Sequence, residues 1–116
     1  MVKGMGFNAI SVYIMWNFHE LEKGKFEYEN GDKNLRGFLD LAKKMGLMVL
    51  LRPGPYVCAE WDFGGLPERL LSIKGLEIRA NNKLFLDEVK EYFASLIPII
   101  NDFSVTTGGP IIMLQI

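Results

Sequence analysis

The apolar run from Leu47 to Leu51, and its abrupt end, constrain the fold of this chain more than any other feature. An apolar run without polar alternation is typical of a strand that is covered on both faces, as the strands of parallel sheets are. Pro53, Gly54 and Pro55 follow almost at once and stop regular strand pairing. The sequence therefore predicts a buried parallel strand over residues 47–51.

Two further strands are predicted, one before and one after this strand in the sequence. The segment from Phe7 to Ile14 is rich in β-branched and aromatic residues, which favour strands. A last strand is predicted from Ile111 to Ile116, because Gly108, Gly109 and Pro110 introduce it as a turn would. Helical segments separate the three strands, so they are expected to pair in parallel through right-handed βαβ crossovers.

The two helices are predicted from apolar residues at helical spacing. The first helix has its N-cap at Asp32 and ends near Gly46, and the second begins near Asn82, with Pro98 expected to end or kink it. The apolar positions are Leu35, Phe38, Leu39, Ala42 and Met45 in the first helix, and Leu84, Phe85, Val89, Tyr92, Phe93, Leu96 and Ile97 in the second. Each helix should bury one face against the sheet.

Composition excludes several classes of function. The chain has 116 residues, of which 49% are hydrophobic and 23% charged, so it is globular in character and holds one domain or less. A formal net charge of -1 leaves no field to attract phosphates, which excludes a nucleic-acid partner. The single cysteine, Cys58, can form no internal disulfide and offers no metal-ligand spacing. No apolar run approaches the roughly 18 residues that span a bilayer, so no membrane association is expected.

The segment after the second strand has the composition of a ligand site. It mixes aromatic and thiol side chains, which are costly to leave in water, with carboxylates, which are costly to bury. Because the carboxyl ends of parallel strands lie at one edge of a sheet, this segment should meet the residues that follow the first strand. The candidates are Tyr13, Trp16, Asn17, His19 and Glu20 after the first strand, and Tyr56, Cys58, Glu60, Trp61, Asp62 and Phe63 after the second.

The end of the chain suggests that more sequence follows. Ile116 is apolar and no polar tail comes after it, whereas a free terminus inside a buried parallel strand is energetically unfavourable. We therefore expect the chain to be a fragment, with a third group of strand-end residues beyond it.

Three motifs stand out in the chain: NAISVYIMWNFHE at residues 8–20, LRPGPYVCAEWDFGGLP at residues 51–67 and GGPIIMLQI at residues 108–116. Together they resemble one family, the retaining β-galactosidases of glycoside hydrolase family 35. Their order and spacing match the family over essentially the whole chain. In the family, the third motif continues into Glu-Asn-Glu and an aromatic residue, directly beyond Ile116.

The resemblance implies a partial TIM barrel. The fold class would be α/β, with about three consecutive parallel strands of a (β/α)8 barrel, and residues 1–116 would be the N-terminal part of a glycoside hydrolase catalytic barrel, incomplete at both ends. The parent protein would hydrolyse terminal non-reducing β-D-galactosyl residues with retention of configuration, on a β-galactoside substrate and without a metal or organic cofactor. Its family members are secreted, vacuolar or lysosomal.

The resemblance also assigns residues. Both catalytic carboxylates would lie beyond Ile116, so this segment supplies binding residues only. Tyr13 would form a hydrogen bond with galactose, while Cys58, Ala59 and Glu60 would line the sugar, with Glu60 accepting from its hydroxyls. The chain departs from the family pattern at Leu21, where a proline is common, and at Arg69, where a tryptophan is frequent. These departures should affect loop packing and the preference for the leaving group more than the reaction.

The proposed binding residues also have structural alternatives. Glu60 could cap a short helix over residues 66–71 or pair with Arg52, and Tyr13 could be a core tyrosine whose hydroxyl bonds to backbone. Cys58 could be a small buried hydrophobe.

The remaining strand-end residues are open to similar alternatives. His19 and Glu20 are adjacent, so on a strand they would point to opposite faces and not converge on a metal ion; a structural role is expected instead. Trp16 and Trp61 could stack on a sugar or only form the wall of the barrel mouth.

Two other functions stay open for the whole chain. It could be a silent relative that binds galactosides without turnover, or a fragment without independent function. A complete barrel needs about 250 residues. The isolated chain would then expose strand edges and apolar helix faces, and we expect it to be insoluble or molten.

Overall fold

The chain folds into a three-stranded parallel sheet with two helices packed on one face. A computed structural model describes residues 1–116. The strands and helices are β1 (Ala9–Tyr13), α1 (Trp16–His19), β2 (Glu20–Glu22), β3 (Lys25–Phe26), α2 (Leu35–Lys44), β4 (Met48–Arg52), α3 (Lys83–Asp102) and β5 (Ile111–Leu114). Strands β2 and β3 form a separate antiparallel hairpin. The alternation of strands and helices and the parallel sheet predicted from sequence are confirmed.

The sheet has the order β1-β4-β5, so strands that follow one another in the βαβ pattern are neighbours in space. Tyr13 is the cross-strand partner of Arg52, and Leu51 is the partner of Leu114. The carboxyl ends of all three strands therefore lie at one edge of the sheet, as expected for βαβ units. This sheet is compatible with part of a barrel.

The core lies between one face of the sheet and the two long helices. In β4, Val49 and Leu51 are fully buried. The helices contribute the buried residues Leu35, Leu39 and Ala42 from α2, and Phe85, Val89, Tyr92, Leu96 and Ile99 from α3. Their spacing of three and four residues places each set along one stripe of its helix. Burying one such side chain stabilises the fold by about 1.5–3 kcal/mol.

The opposite face of the sheet is open, so the prediction that β4 is covered on both faces is wrong for this chain. Met48 is 40% exposed and Leu50 is only partly buried, because both helices pack on the side of Val49 and Leu51. The helix stripes are also narrower than predicted: Phe38, Met45, Leu84 and Ile97 lie beside the stripes and are exposed.

The predicted element boundaries need small corrections. β1 and β5 are shorter than predicted, whereas β4 keeps its predicted length and begins and ends one residue later. The N-cap of α2 is Asn34, whose Oδ1 accepts from the Gly37 N–H at 2.8 Å, whereas Asp32 lies in a preceding 3-10 turn. Helix α3 does not end at Pro98 but continues to Asp102. Burial of Ile99 just beyond the proline keeps the last turn on the core. None of the helices combines the length and the apolar character that crossing a membrane requires.

Candidate functional site

Tyr13 and Arg52 form a pair at the carboxyl edge of the sheet. The Arg52 Nη1 donates to the Tyr13 hydroxyl oxygen at 2.6 Å, and the guanidinium carbon lies 5.0 Å from the centre of the Tyr13 ring. Tyr13 is 36% exposed, and its hydroxyl bonds to a side chain, so the alternative of a core tyrosine bonded to backbone is wrong. Since the oxygen accepts from Arg52, the hydroxyl proton is free to donate to a ligand.

A small cavity of about 190 Å³ opens beside this pair, and we call it the edge cavity. It draws on the carboxyl ends of β1, β4 and β5, and its lining includes Tyr13, Arg52, Tyr56, Cys58, Gln115 and Ile116. Tyr13 and Cys58, two residues that the family resemblance assigned, are therefore brought together. Arg52 and Gln115 were not predicted as site residues, although both stand at the end of apolar strand runs.

The loop after β4 leaves Cys58 and Glu60 exposed and Ala59 partly buried. Cys58 is not the buried hydrophobe that one alternative predicted, because this loop lies outside the core. Glu60 makes no hydrogen bond and no ion pair, so neither helix capping nor pairing with Arg52 is observed. Neither Ala59 nor Glu60 lines the edge cavity.

The backbone at Glu60 adopts an unusual conformation. Its φ of 48° lies in the left-handed region, which costs energy for any residue with a Cβ. Ala59 and Glu60 form a bend, so the chain changes direction between Cys58 and Trp61. Because strained backbone conformations cluster at ligand and active sites, this conformation makes Glu60 a candidate for such a site.

The start of the same loop is held firmly against the core. The buried Tyr92 hydroxyl donates to the Pro53 carbonyl at 2.8 Å, and the Val57 N–H donates to the Gly64 carbonyl at 2.8 Å. Gly64 has a φ of +60°, and a Cβ there would lie 2.1 Å from the Tyr56 ring. Only glycine therefore allows the ring to pack on this turn.

Asn17 fixes the tip of the loop from the side of β1. Its Oδ1 accepts from the Trp61 Nε1 at 2.8 Å, and its Nδ2 donates to the Asp62 carbonyl at 3.3 Å. The Phe18 ring meets the Trp61 ring edge-on, with centroids 6.1 Å apart. Trp61 remains 44% exposed although it is held on two sides.

Trp16 has a different environment from Trp61. It is fully buried and stacks on Tyr92, with ring centroids 4.8 Å apart. Its Nε1 has no hydrogen-bond partner. Trp16 therefore belongs to the core and not to a ligand site, whereas Trp61 is accessible.

A larger cavity of about 570 Å³ lies against Trp61, and we call it the hairpin cavity. Helix α1, the β2–β3 hairpin and the loop after β4 surround it. The cavity lining includes Asn17, Glu20, Lys23, Trp61, Asp62, Glu68 and Arg69. Sequence reasoning did not predict this cavity, because its walls come from three segments without a shared motif.

An ion-pair network forms one wall of the hairpin cavity. Arg69 binds Glu20 through two hydrogen bonds, Nε to Oε2 at 3.0 Å and Nη2 to Oε1 at 2.8 Å, and its Nη1 donates to the Glu88 Oε2 at 2.7 Å. Lys23 Nζ binds the other Glu88 oxygen at 3.0 Å. The Glu20 and Glu88 side chains are only 2% and 10% exposed. Arg69 thus joins the loop to the hairpin and to α3.

The network also shifts the pKa values of Glu88 and Arg69. Burial alone would raise the pKa of Glu88, but the hydrogen bonds from Arg69 and Lys23 outweigh it and hold the pKa below its usual value. Burial opposes the charge on Arg69, yet its bonds to Glu20 and Glu88 raise its pKa. Glu88 and Arg69 are therefore both charged at neutral pH.

His19 has a structural role, as predicted, although it ends α1 and does not lie on a strand. Its Nδ1 donates to the Glu27 carbonyl at 2.7 Å, and its ring stacks on Tyr28 at 4.8 Å. Burial lowers the pKa of His19, so the ring is neutral at pH 7. No three His, Cys, Asp or Glu side chains lie close enough together to hold a metal ion.

Comparison with known proteins gives consistent results. The model of the family described as Glycosyl hydrolases family 35 matches residues 1–116. A beta-galactosidase of Bos taurus is 44% identical over 115 residues, which are 99% of this chain and 18% of that protein. A beta-galactosidase-1-like protein 3 of Rattus norvegicus is 46% identical over 115 residues, with the same two shares. The chain therefore spans less than a fifth of the length of these relatives.

Proposed function

Because this chain belongs to glycosyl hydrolase family 35, we propose that it is the segment of a retaining β-galactosidase that supplies part of the galactose-binding surface. The observation that carries the proposal is the group at the carboxyl edge of the sheet. There the Tyr13–Arg52 pair shares the edge cavity with Cys58, and the unpartnered Glu60 follows two residues later. The sequence identity to beta-galactosidases supports the choice of sugar.

Tyr13 and Glu60 have complementary roles in this proposal. Arg52 occupies a lone pair of the Tyr13 oxygen, so the hydroxyl proton points to the ligand and donates to a sugar oxygen. Glu60, when ionised, only accepts hydrogen bonds, and its two oxygens bind two sugar hydroxyls. The direction of these hydrogen bonds lets Glu60 distinguish an axial from an equatorial sugar hydroxyl.

In this proposal, the role of Cys58 and Ala59 follows from the small size of their side chains. They let the sugar approach the loop backbone closely, and the exposed Cys58 side chain borders the edge cavity. The firm attachment of the loop through Tyr92 and Gly64 keeps this approach distance constant. A preorganised loop reduces the entropy lost on binding.

The reaction of the whole protein uses two glutamates outside this segment. One protonates the leaving oxygen while the other, about 5–5.5 Å away, attacks the anomeric carbon. The glycosyl-enzyme intermediate is then hydrolysed by water, which the first glutamate activates as a base. The substrate is a terminal β-D-galactoside, and the reaction needs no cofactor. We place residues 1–116 in the first part of the catalytic barrel.

The first test is to sequence the encoding transcript beyond the codon for Ile116. We expect Glu-Asn-Glu directly after Ile116, followed by the rest of a barrel. The full-length protein should then release β-galactose first, which proton NMR of the fresh product detects as retention. A stop codon, or a replacement of the second glutamate, would contradict the catalytic proposal. Galactose binding without turnover would then indicate a binding remnant, and no binding an inert fragment.

A further inference from the structure

Arg79 has an unusual conformation in the segment that leads from the loop after β4 to α3. Its φ of 57° lies in the left-handed region, which costs energy for a residue with a Cβ. The side chain is exposed, and it has no carboxylate partner, unlike the nearby Lys83, which pairs with Asp87. Ile78 packs against the core, so the backbone is anchored directly before Arg79. The fold thus holds Arg79 in a strained conformation that no ion pair offsets.

The guanidinium of Arg79 lies over the ring of Tyr56, with the guanidinium carbon 4.2 Å from the ring centre. This distance is within the roughly 6 Å over which a cation is attracted to the face of an aromatic ring. The same ring packs on Gly64, where a Cβ would overlap it. Two contacts therefore hold the Tyr56 ring, one from its own loop and one from the segment before α3.

Tyr56 connects Arg79 with the edge cavity. It lines that cavity together with Tyr13 and Cys58, two residues of the proposed galactose site, whereas Arg79 does not line the cavity. Tyr56 is only partly buried, so the core alone does not surround its ring. A side chain that is fixed in advance loses less conformational entropy when a ligand binds beside it. Arg79 therefore acts on the edge cavity through the order of the Tyr56 ring.

We propose that Arg79 is a positioning residue for the galactose site, because its guanidinium fixes the Tyr56 ring as a wall of the edge cavity. This inference rests on the proposed β-galactosidase function and deepens it, since it adds Tyr56 to the side chains that meet the sugar. A wall residue meets the bound substrate and the transition state alike, so its loss weakens the binding of both. Disorder of the Tyr56 ring should therefore raise KM and leave kcat unchanged.

The test measures kcat and KM of the full-length protein for methyl β-D-galactoside. Arg79→Met removes the charge from a side chain of similar length, and we expect KM to rise about two- to fivefold, the size of one exposed cation–π contact. Arg79→Lys keeps a cation, so its KM should stay closer to that of the wild type. Lys74→Met is the matched control, because Lys74 is exposed in the same segment and makes no ion pair. Its KM should equal that of the wild type.

A double-mutant cycle tests whether Arg79 acts through the ring. Tyr56→Leu removes the ring, so adding Arg79→Met to this variant should have no further effect on KM. If Arg79→Met raises KM by the same factor with and without the ring, Arg79 does not act through Tyr56 and the inference is overturned.

The kinetics also separate this role from a structural one. If Arg79 only stabilised the fold, Arg79→Met would reduce the amount of active protein, which lowers the apparent kcat and leaves KM unchanged. That result would overturn the inference, while the β-galactosidase proposal would stand. If the wild-type protein does not hydrolyse methyl β-D-galactoside at all, the proposed function fails, and the role of Arg79 fails with it.

Discussion

Glu20 and Glu60 both follow a strand of the parallel sheet, β1 and β4 respectively, but they have opposite surroundings. The Glu20 side chain is almost completely buried and accepts two hydrogen bonds from Arg69. Glu60 is exposed and has no partner, and its backbone lies in the left-handed region. The sequence shows Glu20 in the first motif and Glu60 in the second, and it does not indicate that their surroundings differ.

The difference teaches how to recognise a carboxylate that serves stability and one that serves a ligand. Desolvation makes a buried carboxylate costly unless the protein itself supplies donors, as Arg69 does for Glu20. Glu60 has no internal donor, so its hydrogen-bonding capacity remains free for a ligand. Removing the partner of Glu20 should therefore affect folding, whereas neutralising Glu60 should affect substrate binding.

The largest effect is expected from Arg69→Leu, which leaves the buried Glu20 carboxylate unpaired and leaves Glu88 with Lys23 alone. Breaking a buried ion pair on one side typically costs about 3–5 kcal/mol. Denaturant unfolding of the full-length protein should show a loss of this size.

Arg36→Leu is the matched control for this substitution. Arg36 also faces two carboxylates, Glu29 and Asp102, but both are well exposed. Exposed pairs contribute about 0–1 kcal/mol, so the control should be nearly neutral. Equal losses in the two variants would contradict the contrast between the buried and exposed carboxylates.

The next effect is expected from Glu60→Gln. The amide keeps the size of the side chain but loses the negative charge, and charge-assisted hydrogen bonds are about twice as strong as neutral ones. We expect kcat/KM for methyl β-D-galactoside to fall about 100-fold. The free energy of unfolding should change by less than about 0.5 kcal/mol, as for other surface substitutions. If Glu60→Gln kept the kcat/KM of the wild type, Glu60 would not belong to the galactose site.

A smaller effect is expected at Tyr13 and Arg52. Arg52→Met leaves the Tyr13 hydroxyl without its donor and should lower kcat/KM about tenfold, and Tyr13→Phe should have a similar effect. Because the two side chains act through one hydrogen bond, the double variant should lose little more than either single variant. Additive losses in this double-mutant cycle would show that Arg52 does not act through Tyr13.

The smallest effect is expected from the titration of His19. Burial lowers its pKa in the folded protein, so on acidification the unfolded chain takes up a proton first, near the ordinary value of 6.5. The stability that neutral His19 provides is present above this pH and is lost as the pH falls. The Tm should therefore drop between about pH 7.5 and about pH 5.5, and His19→Gln should make this drop smaller. If the Tm of the wild type and the Tm of His19→Gln fall by the same amount, titratable groups other than His19 cause the fall.

The sequence predicted the parts of the fold that local pattern controls. Periodicity reports which side chains are buried, so the alternation of strands and helices and the parallel pairing of a βαβ sheet could be derived. Parallel pairing then placed Tyr13 and the loop after β4 at one edge. The cap at Asn34 was missed because Asp32 and Asn34 are equally good cap types.

Long-range side-chain contacts could not be predicted in the same way. Arg69 bonds to Glu20 and Glu88, which are 49 and 19 residues away, and such pairs leave no periodic pattern. The two tryptophans differ for a similar reason: Tyr92, far along the chain, covers Trp16 but not Trp61. The hairpin cavity depends on both sets of contacts and therefore became visible only in the structure.

The two hydrogen bonds of Asn17 have a consequence for the order of folding. They join residues 44 and 45 positions apart, and pairing of β1 with β4, whose partners Tyr13 and Arg52 are 39 positions apart, shortens that loop. We therefore expect the tip of the loop to be fixed after the two strands have paired. Contacts between distant residues form late because closing a long loop costs entropy before the contact is made. We therefore expect the surface around Trp61 to order last and open first, so hydrogen exchange at Trp61 and Asp62 should be faster than at Val49 and Leu51.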